Sequence, residues 1–418
     1  MGIGRLRSSI LPRLLSEKRA PLRVAGFPRL ALSYSVNELG DNLGVVALAI
    51  LVLDGTSSAL ATAGLFVCAR FLPALTAPWL TARLDQRAVN RSLPLLYALE
   101  AVAFAGLALV AAGPFSLAAV LALAYVDGTL ALAGRGISRA AVAALLLPHG
   151  TLREGNALLN AAFAVTAAAG PAAAGVLVGT VGAVAALWVD AASFALIAAL
   201  LFVARDLPPG APEDGGVGVV GLAGRVREGV AAVRREPIRT LIAAQAVAFV
   251  FFFLVIPIEV VYAKETLGAG DIGYGVLLAA WGVGLVLGSA VYARVRERPT
   301  RVLVVGSTLL VGVGYFGLAA APGIVLACVA SVVGGTGNGV QWVSVLTAVQ
   351  EALPETLQAR VVGLLESIAA AAPGIGFLVG GVLTAIWSPR LAYLVAGAGV
   401  MLVAAAMARR IGPPARSR

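Results

Sequence analysis

Apolar residues run through this chain in long unbroken stretches, interrupted at intervals by short segments rich in Arg, Pro and Gly. Reading apolar length against this punctuation predicts helices over 27–53, 60–82, 93–112, 117–144, 157–178, 183–204, 241–263, 273–293, 302–321, 324–349, 361–386 and 391–407. At ~1.5 Å rise per residue, roughly 20 residues match a hydrocarbon core about 30 Å thick. The runs are apolar on every face and lack the short alternating strands of a membrane barrel. The pattern predicts an all-α polytopic membrane protein with twelve transmembrane helices.

Composition agrees: 60% of the 418 residues are hydrophobic and 12% charged, about half the charged fraction of a soluble domain. The net charge of +10 raises the question of nucleic acid, but the basic residues are scattered over seven short segments and form no stripe. Twenty-six of the 31 Lys and Arg residues fall on one face if the chain crosses twelve times. Cytoplasmic loops carry such an excess, which places both termini in the cytoplasm of a cell-membrane protein. Lys264 and Arg390 alone fall opposite, and Arg70, Arg135 and Arg139 sit inside apolar runs. Cys68 and Cys328 lie within spans and His149 is the single histidine, so neither a metal nor another cofactor is expected.

The two halves resemble each other. A shift of 206 residues lays Leu158-Leu159 on Leu364-Leu365, Gly170 on Gly376 and Gly175-Val176-Leu177 on Gly381-Val382-Leu383. A shift of 211 lays Arg83 and Arg87 on Arg294 and Arg298. This predicts two parallel-repeat six-helix bundles around a central cavity. The domains are then a basic tail at 1–26, which lacks the apolar core of a signal peptide, a first bundle at 27–204, a linker at 205–240, a second bundle at 241–408 and a tail at 409–418. Within the linker, Val226, Val230 and Val233 among arginines predict a helix lying on the inner membrane surface.

Several stretches are similar to the major facilitator superfamily. Pro78 to Arg91 (PWLTARLDQRAVNR) resembles its loop 2–3 signature, with Asp85 in place and Thr81 where Gly is usual. Asn37-Glu38-Leu39-Gly40-Asp41, Arg153-Glu154-Gly155-Asn156, Gly170-Pro171, Gly273-Tyr274-Gly275, Gly337-Asn338-Gly339 and Gln350-Glu351-Ala352-Leu353-Pro354 resemble the subgroup of enterobactin-exporter-like and macrolide-efflux-like proteins. The resemblance implies a cavity lined by spans one, four, seven and ten. It also implies drug:proton antiport by alternating access. Asp85, Arg87 and Arg91 at the cytoplasmic helix ends are expected to form a gate, since carboxylate and guanidinium groups there can pair across helices in one state and part in another. Ordinary positive-inside charge is the alternative. Gly170, Pro171, Gly175, Gly376 and Gly380 are expected to serve helix approach and bending.

Chemistry in the spans begins with Glu38 and Asp41, three residues apart and so on one face of the first helix. Span four runs the other way and brings Arg135 to a similar depth, with Asp127 further from the cytoplasm. Burial and a nearby guanidinium push a carboxylate's protonation in opposite directions, so small movements can switch it. Glu38, Asp41, Asp127 and Arg135 are therefore the candidate proton-coupling residues, with a fixed brace between two helices as the alternative. Arg70 is a candidate partner of Asp41 or Asp127. Asn338, Gln341, Trp342, Phe249, Phe252 and Phe253 are the candidate lining of an apolar, aromatic pocket. Glu100 and Asp190 are expected to be hydrogen-bonded at the periphery, and Glu259 to lie hydrated near the outer end of span seven.

These residues lead to export of a hydrophobic or amphiphilic small molecule, such as a drug, siderophore or secondary metabolite, by proton antiport. The expected partners are that molecule, protons and the bilayer, with a monomer as the working unit. Uptake by proton symport is the alternative, and a membrane sensor or scaffold is a more distant one. The zinc pair, nucleophile elbow and phosphate loop of the common enzyme motifs are missing from the sequence, so an enzyme is not expected.

Overall fold

A computed structural model describes residues 21–84, 89–204, 207, 238–352 and 355–410. Among them it is helical almost throughout, with eleven helical runs long and apolar enough to cross a membrane. One run, Leu152–Phe202, has 51 residues, about 75 Å at 1.5 Å per residue, far more than one crossing needs. It breaks at Gly182, whose φ of 85° and ψ of 162° are non-helical and suit a residue without a Cβ. The break makes two crossings of this run and twelve among the described residues. The loop expected between 178 and 183 is thus reduced to a single residue.

The helices are α1 (Phe27–Thr56), α2 (Ala59–Phe66 and Leu72–Leu84, joined by a π turn at Val67–Phe71), α3 (Val89–Ala112) and α4 (Leu117–Leu146). Within Leu152–Phe202, α5 precedes Gly182 and α6 follows it. The second half holds α7, α8 (Gly270–Val295), α9 (Thr300–Ala320), α10 (Ile324–Ala352), α11 (Glu355–Ile386) and α12 (Pro389–Arg410). Helix α7 is composite. Ile238–Val255 is followed by a 3₁₀ turn at Ile256–Ile258, where Pro257 cannot donate, and by Glu259–Val261 and a π turn at Tyr262–Thr266. Several helices begin three to five residues earlier than the apolar runs suggest, because polar first turns such as Leu152 to Asn156 are helical too. The linker helix around Val226 to Arg235 lies outside the described residues.

Within the first half α1 packs on the α5–α6 run and on α4, α3 on α4 and on that run, and α2 on α4. Within the second, α8 and α9 pack on α10, and α12 on α9 and α7. The main contacts between halves are α5 with α8 and α2 with α11. Side chains such as Val102, Leu109, Leu196 and Leu402 stay exposed on the outside, where lipid rather than water meets them. Cohesion in such a bundle comes from close packing and small residues. At the α5–α8 contact a Cβ on Gly175 would stand 2.8 Å from Gly275 Cα and 2.9 Å from the Asp271 carbonyl oxygen. Gly175→Val is expected to destabilise the bundle by about 1–3 kcal/mol through overpacking. The readout is the melting temperature in detergent, and an unchanged value would mean that the helices part freely.

Thr81, standing where the loop signature has Gly, still permits close packing. Its Oγ1 turns back to the Ala77 carbonyl at 2.9 Å, and its methyl lies against Gly136 of α4.

Both ends of the twelve-helix array lie on one side, here the terminal side; the opposite side is distal. The two basic residues expected on the distal face are both engaged. Arg390 donates to the Ala319 and Ala321 carbonyls at 3.1 and 2.9 Å, tying the start of α12 to the end of α9. Lys264 lies between Asp54 at the end of α1, at 2.6 Å, and Asp271 at the start of α8, at 2.5 Å.

Candidate functional site

The i, i+3 spacing in α1 places Glu38 and Asp41 side by side against α4, where Arg135 reaches both. Its Nη2 donates to Asp41 Oδ2 at 2.7 Å, and its Nη1 stands 3.6 Å from Glu38 Oε1. Both expected pairs therefore form at once, through one guanidinium. The side chains of Glu38 and Asp41 are 2% and 7% exposed and that of Arg135 22%, so the cation is the most exposed of the three. Glu38 Oε1 and Arg135 Nε have no hydrogen-bond partner among the described residues. Arg139, one turn along α4, reaches Tyr34 Oη at 3.5 Å.

Beside this cluster is a polar pocket of about 120 Å³, lined by Asp41, Arg70, Asp127 and Arg135 with apolar neighbours. Arg70 shares the pocket with both candidate carboxylates, but none lies within the 4 Å of an ion pair among the described residues. It sits in the π turn of α2. A π turn inserts one residue into a helix and re-aims the side chains around it, and such turns are frequent at functional sites.

Arg70 and Val45 also border the larger central cavity, of about 350 Å³. Its wall is aromatic: Phe66 of α2, Phe252 and Phe253 of α7, Tyr274 and Trp281 of α8, Tyr315 of α9 and Phe377 of α11. Trp281 and Tyr315 stack at 5.6 Å and 14°, and Phe252 meets Phe253 edge-on at 5.3 Å. The central cavity thus draws on α1, α2, α5, α7, α8, α9 and α11. The polar pocket draws on α4. Spans one, four, seven and ten alone do not account for this lining.

The candidate lining residues divide between two spaces. Phe252 and Phe253 face the central cavity. Phe249, Phe252, Asn338, Gln341 and Trp342 line a separate pocket of about 100 Å³. There Gln341 donates one hydrogen bond to Thr308 Oγ1 at 3.0 Å.

Glu259 departs from its expected place. Helix α7 continues to Thr266, so this carboxylate is a further turn from the distal end, and it lines the central cavity instead of a hydrated rim. Glu100 is fully buried and, contrary to expectation, neither of its oxygens is hydrogen-bonded among the described residues. Asp190 accepts from Ser193 Oγ at 3.4 Å and packs against Gly40 and Gly44 of α1. Of the expected gate, Arg91 is exposed in the first turn of α3, while Asp85 and Arg87 lie outside the described residues.

The expected conformational residues all stand at helix approaches. Gly170 faces Asn42 of α1, Gly175 faces Gly275 of α8, and Gly376 and Gly380 face Phe253 and Leu254 of α7. Pro171 lies inside α5 and borders the cavity. Lacking an N–H, it leaves the carbonyl one turn back, on Ala167, without its helical donor.

Twelve helices in two halves, with an aromatic cavity between them and ion pairs inside the membrane, define a polytopic transporter. The profile of the transmembrane secretion effector family matches residues 16–417, and the chain belongs to that family, within the major facilitator superfamily. It is 28% identical over 386 residues to the multidrug efflux pump Tap of Mycolicibacterium fortuitum, covering 88% of this chain and 90% of that protein. It is 29% identical over 372 residues to the pump of the same name in Mycobacterium tuberculosis, covering 82% and 84%. Among solved structures, the nucleoside transporter NupG aligns with a TM-score of 0.70 at 13% identity, over 91% of this chain and 99% of that one. A bacterial homologue of the lysosomal transporter Spinster, inward-facing and occupied, aligns with a TM-score of 0.70 at 13% identity, over 93% and 98%. These two show the shared fold.

Proposed function

We propose that this protein exports hydrophobic or amphiphilic small molecules from the cell by proton antiport, as a monomer and without enzymatic activity. The observation that carries the reading is the junction of two spaces at Arg70. An aromatic cavity large enough for a drug-sized ligand borders a polar pocket in which Arg135 is shared by Glu38 and Asp41. Two carboxylates on one cation leave room for one exchangeable proton. Asp127, on the same pocket, is the candidate relay. A substrate that shifts α1 against α4 changes which acid the guanidinium serves, and the proton leaves with that change.

The bundles 27–204 and 241–408 act as the two rocking bodies, joined by 205–240. Asp85, Arg87 and Arg91 act as the gate on the terminal side, which the excess of arginine there assigns to the cytoplasm. Phe249, Asn338, Gln341 and Trp342 act as a secondary wall. Gly170, Pro171, Gly175, Gly376 and Gly380 let the bodies roll on each other at short range. The relatives named as multidrug efflux pumps support outward transport of varied molecules.

Everted vesicles with a preformed pH gradient test the reading. Hydrophobic substrates are expected to dissipate the gradient in vesicles containing the protein and not in controls. Substrates that move no protons would refute antiport, and proton movement in the same direction as substrate would establish symport.

A further inference from the structure

We infer that the outer groove between α1 and α6 is a binding site for an anionic phospholipid, with its phosphate on Arg29 and the upper part of one acyl chain between the two helices. The inference goes beyond the export reading and does not depend on it.

The groove holds about 280 Å³ and shares no lining residue with the central cavity. Arg29 to Val36 of α1 form one wall and Ser193 to Leu201 of α6 the other, about 10 and 12 Å long at 1.5 Å per residue. Leu32, Leu196 and Leu200 are 56%, 61% and 50% exposed, so the groove opens on the face that meets lipid. Its two serines add no polarity. Ser33 Oγ donates to the Leu30 carbonyl at 3.0 Å, and Ser193 Oγ to that of Asp190 at 2.8 Å. The interior therefore suits methylenes. Among the described residues the lining has one charged member, Arg29, exposed in the first turn of α1. This end lies on the terminal side, where α6 also finishes. Arg29 has a contact within the protein, but a guanidinium carries five donors and can serve a phosphate besides. Gly26 gives α1 no side-chain cap, so the positive end of the helix favours an anion there too. A cation at the membrane surface, with an apolar slot running inward from it, matches a phospholipid in both its parts. Free phosphate would leave the slot unfilled. Anionic lipid of the cytoplasmic leaflet is drawn to basic side chains at that surface. A seated chain would extend the α1–α6 contact that Asp190 makes against Gly40 and Gly44, on the helix that carries Glu38 and Asp41.

The test is lipid binding to purified full-length protein in detergent, read by native mass spectrometry during titration with phosphatidylglycerol, phosphatidylcholine or diacylglycerol. The wild type is expected to hold one phosphatidylglycerol more tightly than either of the others, and to melt at a higher temperature with it. Arg29→Gln should weaken that binding about fivefold, the effect of one basic residue at an anionic surface, and lose the thermal gain. Arg29→Lys should keep most of both. Leu196→Trp, which narrows the groove from its exposed rim, should weaken phosphatidylglycerol and diacylglycerol alike. Melting temperatures without added lipid separate lost binding from lost fold. Wild-type affinity for phosphatidylglycerol in Arg29→Gln, or equal binding of diacylglycerol by the wild type, would overturn the inference. So would unchanged binding in Leu196→Trp, which would put the lipid outside the groove. No lipid held by the wild type would overturn it too, and is the result expected if the basic tail or a transported amphiphile filled the groove instead.

Discussion

Asp41→Asn is expected to abolish transport driven by a pH gradient while leaving the protein folded and inserted. The asparagine keeps the shape of the side chain and an oxygen that can accept from Arg135 Nη2, now at 2.7 Å from the carboxylate. It cannot bind or release a proton at that oxygen. Breaking a buried ion pair by removing one partner typically costs about 3–5 kcal/mol. Here Arg135 retains Glu38 at 3.6 Å, so the loss of stability should be at the low end. The decisive comparison is between gradient-driven transport and substrate counterflow in proteoliposomes. Counterflow exchanges substrate for substrate and needs no net proton movement, so it should survive in the mutant. Unchanged gradient-driven transport would remove Asp41 from coupling, and loss of both activities would make it a structural brace.

Glu38, Asp41 and Arg135 were legible in the sequence because two simple rules reached them. Residues three apart share a helix face, and antiparallel helices match residues counted from the same membrane surface. The twelve crossings were legible for an equally simple reason, the length of hydrocarbon to be spanned. Arg70 was only half legible. Its depth was plain, but its direction depends on the π turn at Val67–Phe71, which no apolar pattern announces. Glu259 was misplaced by counting from an apolar run that stops at residue 263, when the helix continues through Lys264 and Glu265 to Thr266.

Trp281, Tyr315 and Phe377 were missed for a deeper reason. Helices that are apolar all round carry no signal of which face meets lipid and which meets a cavity. The resemblance that directed attention to spans one, four, seven and ten also directed it away from α8, α9 and α11. A polar neighbour would have been the available clue. Glu259 just after Pro257 marks the wall that these rings complete.

Lys264→Glu is expected to reduce export to background by preventing closure of the distal side. Lys264 belongs to α7, and its two partners divide the bond between halves: Asp54 ends α1 and Asp271 begins α8. The contact with Asp54 therefore ties the second half to the first on the side opposite the termini, near the close approach of α5 to α8 at Gly175 and Gly275. In a pair exposed at Asp54 (55%) and half-buried at Lys264 (17%), the bond by itself adds about 1 kcal/mol. Reversal is a larger perturbation than removal. Like charges 4 Å apart repel by about 4 kcal/mol at an effective dielectric constant of 20, and the glutamate would face two carboxylates. Even a fraction of that repulsion changes the balance of two states substantially, since each 1.4 kcal/mol is about tenfold. Lys264→Gln should accordingly give a partial loss and Lys264→Glu a near-complete one. Exchanging the charges, Lys264→Asp with Asp54→Lys, should recover part of the activity despite the remaining Asp271. Full activity in Lys264→Glu would mean that the distal contacts between halves are held by helix packing alone.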